Sequence, residues 1–512
     1  TKVIPNKRVI TNFFNLYIED IPLPLGLPFG IFPLSEKKSS GLIMPTYGQS
    51  NDRGFYLREG GYYWAISDYV DMKFLGEIYA NGGGGIRWLT NYKSRYRFTG
   101  NLRLNYRNVV RNGDEYTRNE VKDYEFTWRH QPLGYGGRKL SADVNIASST
   151  YNSNLTTNTQ QNITNTLTSN ITYSLPLKGT PFNATMKLRH EQNNRTKEVN
   201  FTLPSINVSM TQQYPFRAFG KNHVGGKSSV RKFYESISVG YGMNTEHRIS
   251  TKGLSKPSYR SNFDLSDTTT INLESSNFGK LLDRGKIGAS HNIPIGGTFS
   301  AGSFTFSPKF NYQEYWYQET NDYQYNSVDS SVIITNNEGF ARAYQYNASL
   351  TTQTRLYGMY EFIGKHETQV RHIINPSVSL TYTPDFQDEE KFGYYQRIKI
   401  NEKNDSLTFS RYQNAIYGSG FSSKSASVRF NLNNVLEMKR KVFAKDSTEK
   451  STYKKIKLLD QFNLSSSYNF IADSLRLNPI RITGVTNLFN FFNIQANATL
   501  QPYVYDSTGG TQ

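Results

Sequence analysis

The sequence predicts an all-β protein, a large antiparallel transmembrane β-barrel, and three observations carry that expectation. Apolar and polar residues alternate with period two in stretch after stretch, and aromatic residues make up 14% of the chain, with 37 Tyr and 32 Phe. No stretch reaches the roughly 18 to 20 continuous apolar residues that a transmembrane helix needs. Alternation gives each face of a strand one chemical character, as a wall between lipid and water requires, and it hides the apolar half from averaged hydropathy.

The opening residues break that rule. From 13 to 67 the chain reads FFNLYIEDIPLPLGLPFGIFPLSEKKSSGLIMPTYGQSNDRGFYLREGGYYWAIS, which brings Pro22, Pro24, Pro28, Pro33 and Pro45 ahead of Gly60-Gly61. Proline withholds a ladder donor and glycine weakens a strand, so poorly zipped opening strands are predicted. From these residues alone two readings stand: an irregular linker that plugs or caps the barrel wall, or a seam through which something passes. Lys37 and Lys38, taken alone, read as a solvated turn.

Regular strands follow. Between 97 and 107, Phe98, Leu102, Leu104 and Tyr106 share one face while Arg97, Thr99, Asn101, Arg103, Asn105 and Arg107 share the other. The same pattern sets Phe304, Phe306, Phe310 and Tyr312 against Ser307, Lys309 and Asn311, and late in the chain Val428, Phe430 and Leu432 alternate with polar residues. Such segments amount to roughly 18 or 19 strands of about 9 to 15 residues, out of a probable total of about 26, the size class of large outer-membrane barrels. The short turn at 51–54 suits the periplasmic side. The polar stretches near 148–165, 211–233, 250–284, 318–340 and 387–424 suit extracellular loops. The glycine run from Gly82 to Gly85 is followed by neither Gly-Lys-Ser/Thr nor a helix, so it reads as a flexible turn and not a phosphate loop.

The formal net charge of +18, from 59 Lys and Arg against 41 Asp and Glu, favours anionic partners. Arg97, Arg103 and Arg107 on one polar face fit either an ordinary charged lumen or a lining that holds phosphorylated saccharide headgroups. A nucleic-acid surface is disfavoured, because aromatic and basic residues on opposite faces cannot act on one ligand together. The chain has no Cys, its seven His show no metal-ligand spacing, and no Gly-x-Ser-x-Gly elbow occurs, so neither metal, cofactor nor enzymatic chemistry is expected.

Between Leu16 and Tyr106 the chain carries Ile31-Phe32-Pro33-Leu34, the run from Ser35 to Gly41, Leu42-Ile43-Met44-Pro45, Gly54-Phe55 and Tyr62-Tyr63-Trp64 ahead of Asp68-Tyr69. In these residues the segment resembles the LptD family of outer-membrane lipopolysaccharide-assembly proteins, also called OstA. A second match is Arg371-His372 with Pro376, Tyr382 and Pro384, and a weaker third is LNNVLEMK at 432–439, similar to versions from Bacteroidota-type bacteria. The resemblance implies that residues 1–40 are the end of a periplasmic jelly roll and its linker, that 41–505 form the barrel without its last strands, and that 506–512 are a polar tail.

It further implies an outer-membrane translocon that inserts lipopolysaccharide into the outer leaflet through a lateral gate. Pro45 then lies in the first strand, and Gly41, Gly48, Gly60 and Gly61 join it in the gate. Pro22, Pro24, Pro28, Pro33, Lys37 and Lys38 lie along the passage from jelly roll to barrel, the lysines placed to guide anionic lipid A. The chain departs from the family at Gly60-Gly61, where many members carry a proline. Implied partners are lipopolysaccharide, an LptE-like plug lipoprotein, a periplasmic LptA/LptC-like jelly-roll bridge and further lipoproteins. The competing class is a TonB-dependent or passive uptake barrel in the same membrane.

Overall fold

The computed structural model describes the chain except for residues 1, 5–7, 13, 19–20, 28, 34–37, 51–52, 113–117, 135–136, 152–165, 221–231, 253–258, 262–270, 272–274, 329–330, 363–367, 400–405, 419, 443–451, 489–491 and 505–512. Two compact units divide it, one of residues 1–175 with 187–202 and the other of residues 176–186 with 203–512.

The first unit begins with two small sheets. Lys2–Ile4, Arg8–Thr11 and Gly30–Pro33 form one, and the hairpin Phe14–Ile18 with Ile21–Leu27 forms the other. A meander follows, in which Gly54–Ser67, Val70–Tyr79, Gly83–Ser94, Phe98–Asn112, Arg118–Pro132 and Lys139–Ala147 each pair antiparallel with the next. Period-two sequence gives period-two burial, but inverted relative to a water-soluble protein. Asn105, Asp123 and Glu125 are buried on one face, while Leu104, Tyr106 and Tyr124 on the other are 42 to 53% exposed. Buried carboxylates beside bare aromatic rings are unfavourable in water and favourable when lipid covers the rings.

The second unit repeats the arrangement with longer strands: Ser238–Ser250, Lys286–Gly296, Phe304–Asn326, Ser331–Thr354 continued by Leu356–Phe362, Thr368–Thr383, Ser425–Val442, Thr452–Asn469, Ile480–Leu488 and Phe492–Leu500. Exposed Val378, Leu380 and Phe430 alternate with Ser377, Ser379, Arg429 and Asn431.

Strict antiparallel alternation corrects several sequence expectations. Residues 318–326 and 331–340 are not a loop but strand. Phe304–Asn326 and Ser331–Thr354 run 23 and 24 residues, well beyond the roughly 9 to 11 that cross a bilayer. Once past the lipid, both faces meet water, and the alternation that marks a strand disappears; Glu319, Asn321, Asp322, Asn336 and Asn337 nevertheless stay paired in the ladder. In the first unit, six strands separate Arg53-Gly54 from residues 148–151, so the described parts of the predicted periplasmic turn and of the predicted extracellular loop lie at the same end of the meander. In the second, residues 232–237 precede Ser238–Ser250 and so lie at the opposite end from the described residues of 384–424, although the sequence predicts both stretches to be extracellular. Gly83, Gly84 and Gly85 belong to a strand, where a side chain at Gly84 or Gly85 would meet the backbone oxygens of Glu77 and Tyr106. The turn reading therefore holds for the start of the run, where Gly82 and Gly83 take positive φ of 101° and 85°, while Gly84 and Gly85 are there because neighbouring strands approach closely.

The described residues of 384–424 form a packed cap. A single helical turn, Glu389–Phe392, and the hairpin Tyr395–Lys399 with Ser406–Ser410 fold back onto the long strands. Phe386 is fully buried, Tyr317 stacks on Tyr412 at 4.2 Å, and Tyr394 lies 4.5 Å from Phe421. Polar anchors hold the cap on: the Tyr417 hydroxyl donates to the Asn244 carbonyl at 2.5 Å, Lys286 Nζ to the Asn414 carbonyl at 2.6 Å, and the Tyr323 hydroxyl to the Ser410 carbonyl at 2.8 Å. Burial pushes the Tyr394 and Tyr417 hydroxyls up to about 12.

Candidate gate in the opening hairpin

The first strand of the meander comes in two pieces. Gly41–Ile43 pairs with Tyr63 to Gly61, and Thr46–Ser50 pairs with Arg58 to Gly54, so the register is shared but Met44 and Pro45 belong to neither piece. Proline has no N–H to give the ladder. Directly opposite, the second strand bulges: its pairing with Val70–Tyr79 slips by one residue between Leu57 and Gly60, and Glu59 takes the left-handed backbone region at φ 59°.

The two defects answer each other. A Cβ on Gly60 would lie 2.8 Å from Pro45 Cβ, and one on Gly61 would collide with the Phe74 carbonyl oxygen. Gly60 therefore makes room for the proline, and Gly61 lets the next strand close up behind the bulge. Gly48 serves the upper piece, where a side chain would collide with the Tyr56 ring; that ring lies across the strand beneath the Arg58 guanidinium, 3.8 Å from its centroid. Among the described residues nothing lies near a Cβ on Gly41.

The bulge also resets the outward face. Exposed apolar residues are odd-numbered before it, Phe55 and Leu57, and even-numbered after it, Tyr62, Trp64 and Ile66. The first strand switches at the same level, from Leu42 and Met44 to Tyr47. The wall thus stays greasy outside while its backbone ladder is interrupted. This parity change is written in the sequence, and it would have located the bulge.

Lys38 does not stand free. Its ammonium is ion-paired with the buried Asp71 carboxylate, whose hydrogen bond raises the Lys38 pKa. Asn91 Nδ2 donates to the same carboxylate at 2.9 Å, and the Ala65 amide donates to Ser40 Oγ at 2.9 Å. These contacts tie the linker to the strands it enters, so Lys38 is an anchor. Nothing in its spacing to Asp71 announces the pair. Pro22 and Pro24 sit within the strand Ile21–Leu27 and Pro33 ends Gly30–Pro33; Pro28 and Lys37 lie outside the described residues.

The three arginines of the polar face are spread out. Arg97 occupies the turn before its strand, Arg103 is exposed at mid-strand, and Arg107 is ten residues from Arg97, about 33 Å at strand rise. Arg107 lies 4.6 Å over the ring of Tyr151, whose hydroxyl donates to Glu125 at 3.0 Å and accepts from Asn105 at 2.8 Å. Burial and the Glu125 charge push the Tyr151 hydroxyl up to about 12. Arg107 is therefore part of a knot that folds residues 148–151 onto the polar face, and the three do not form one patch. A polar cavity of about 670 Å³ in the second unit, lined by Ser377, Arg429, Asn431, Ser465 and Arg481, gathers two arginines that sequence reading did not single out.

A meander of alternating strands that buries amides and carboxylates on one face and bares aromatic rings on the other is the wall of a large outer-membrane β-barrel. The family model described as LptD protein matches residues 9–503. The chain belongs to the LptD family and resides in the outer membrane of a Gram-negative bacterium. It is 20% identical over 393 residues to LPS-assembly protein LptD of Shewanella oneidensis, covering 76% of this chain and 42% of that protein. It is 26% identical over 122 residues to LPS-assembly protein LptD of Acinetobacter baumannii, covering 23% of this chain and 14% of that one. The chain thus spans less than half the length of the curated relatives it matches. Solved structures that match include the siderophore receptor PirA from Acinetobacter baumannii, covering 88% of this chain and 71% of that one at 11% identity and a TM-score of 0.22. The Pseudomonas aeruginosa PirA covers 91% and 81% at 9% identity and a TM-score of 0.23.

Proposed function

We propose that this chain is the membrane wall of a translocon that inserts lipopolysaccharide into the outer leaflet, and that its opening hairpin is one side of a lateral gate. The observation that carries the reading is the interrupted ladder at Met44-Pro45 facing the bulge at Glu59. A strand held by two short pieces separates at less cost than a continuous one, because each missing backbone hydrogen bond removes about 1 kcal/mol of net stabilisation. The exposed Leu42, Met44 and Tyr47 beside the break offer acyl chains an apolar exit. The saccharide follows the polar face, where arginines and amides replace its water.

The mechanism is physical: no bond is made or broken in the wall, and the driving force comes from molecules arriving behind. The residues before Gly41, anchored through Lys38 and Asp71, are the passage from a periplasmic jelly roll that receives the lipid from an LptA/LptC-like bridge. An LptE-like lipoprotein fills the lumen, which an unfilled barrel of this width would leave open to leakage. The test is depletion of the protein in its own host. Newly made lipopolysaccharide should then fail to reach the cell surface while uptake of small solutes persists. Unchanged surface lipopolysaccharide would falsify the proposal, and a selective loss of solute uptake would favour an uptake barrel.

A further inference from the structure

In the second unit, the strand pair Ser425–Val442 and Thr452–Asn469 sets cations against cations. Its register places Lys439 opposite Lys455 and Arg440 opposite Lys454. Like charges directly opposite each other on an antiparallel pair are destabilising. Nearby carboxylates do not relieve them, because Glu437 is taken by Arg371, and Asp460 by Lys457 at 3.2 Å. Among the described residues no carboxylate lies within ion-pair distance of these four cations. The connecting sequence 443–451, FAKDSTEKS, carries two lysines and two acids and so adds no net charge. Lys439 rests over the Tyr453 ring at 4.3 Å. Lys455 is exposed on the face of Lys439, and Arg440 and Lys454 form an exposed pair on the other face.

The register also gives their depth. Phe362 pairs with Thr368, Thr368 with Arg440, and Arg440 with Lys454, so these four residues form one row across four strands on one face. The adjacent row on that face reads Tyr360, Val370, Met438 and Ile456. Phe362 is 60% and Tyr360 53% exposed. An apolar row ending in aromatic rings marks the rim of the hydrocarbon layer, and the cation pair stands one step beyond it, at headgroup level. This end of the strands is opposite the cap at 384–424.

We infer that Arg440 and Lys454 bind the phosphate of an anionic phospholipid from the leaflet at this end. A phosphate between them removes the cross-strand repulsion and matches the planar fork of the guanidinium, while the acyl chains lie along the Tyr360 to Ile456 row. The site serves the standing of the barrel in its membrane and does not depend on what the barrel carries.

Native mass spectrometry of the intact protein in zwitterionic detergent tests the assignment, with phosphatidylglycerol and phosphatidylcholine of identical chains as competing probes. Phosphatidylglycerol should be retained about fivefold or more over phosphatidylcholine, and the double variant Arg440→Gln/Lys454→Gln should lose that preference. The single variant Arg440→Glu sets a carboxylate opposite Lys454; it should raise the melting temperature in zwitterionic detergent and also lose the preference. Equal retention of the two lipids by the unaltered protein, a preference that survives in the double variant, or a lower melting temperature for Arg440→Glu would each overturn it.

Discussion

The hairpin that opens the meander and the hairpin Phe304–Asn326 with Ser331–Thr354 are built from the same alternating chemistry, yet they are held in opposite ways. The long hairpin pairs from Phe304 with Thr354 to Asn326 with Ser331, with one irregularity beside Tyr317, and carries a cap of interlocked aromatic rings. The opening hairpin pairs in two pieces around Pro45, and its outward rings pack on little protein. Stability is thus concentrated where the ladder is continuous and capped, and withheld around Pro45, where the proposed gate lies.

That contrast can be broken most forcefully at the cap. Phe386→Ala removes a fully buried ring and should cost about 3 to 5 kcal/mol, read as loss of protease resistance and hydrogen-exchange protection across 384–424. Protection of the opening hairpin should not change. Alkaline pH should act on the cap next. The folded cap holds Tyr394 and Tyr417 protonated, with hydroxyls raised from 10.0 to about 12. The contribution of these two groups to its stability is therefore fully present below pH 10 and is lost as pH rises from 10 through 12. Limited proteolysis across that range should nick 384–424 before it cuts 54–79.

In the opening hairpin, Gly61→Ala should cost about 1 to 3 kcal/mol, since its Cβ would push against the Phe74 carbonyl. Amide exchange in 54–67 and 70–79 should accelerate. Pro45→Val restores a donor and should stabilise the first strand by about 1 kcal/mol, slowing exchange at 43–47. If it also slows delivery of lipopolysaccharide to the surface, weakness at Pro45 is functional and not incidental.

Much of this was legible in the residues. Alternation is imposed wherever lipid lies on one side and water on the other, so strands such as Phe98–Asn112 and Ser425–Val442 announce themselves. Pro45 and Gly60-Gly61 announce the weak hairpin, because backbone chemistry is local. Signals that depend on partners far along the chain were silent. Lys38 read as a solvated turn because Asp71 lies 33 residues away, and the cap read as a polar loop because Phe386, Tyr394, Tyr412 and Phe421 are irregularly spaced and meet only when folded. Residues 318–340 were misread for a physical reason: a strand beyond the bilayer has no apolar face to show.

The central claim is that acyl chains leave beside Pro45, and pulse labelling with site-specific photocrosslinking tests it most directly. A photoreactive residue at Met44, next to the break, is compared with one at Phe310, on the outward face of the long hairpin, while newly made lipopolysaccharide is followed after a short label. The account predicts that labelled lipopolysaccharide is captured at Met44 before any reaches Phe310; simultaneous capture at both positions, or capture at Phe310 first, would contradict it.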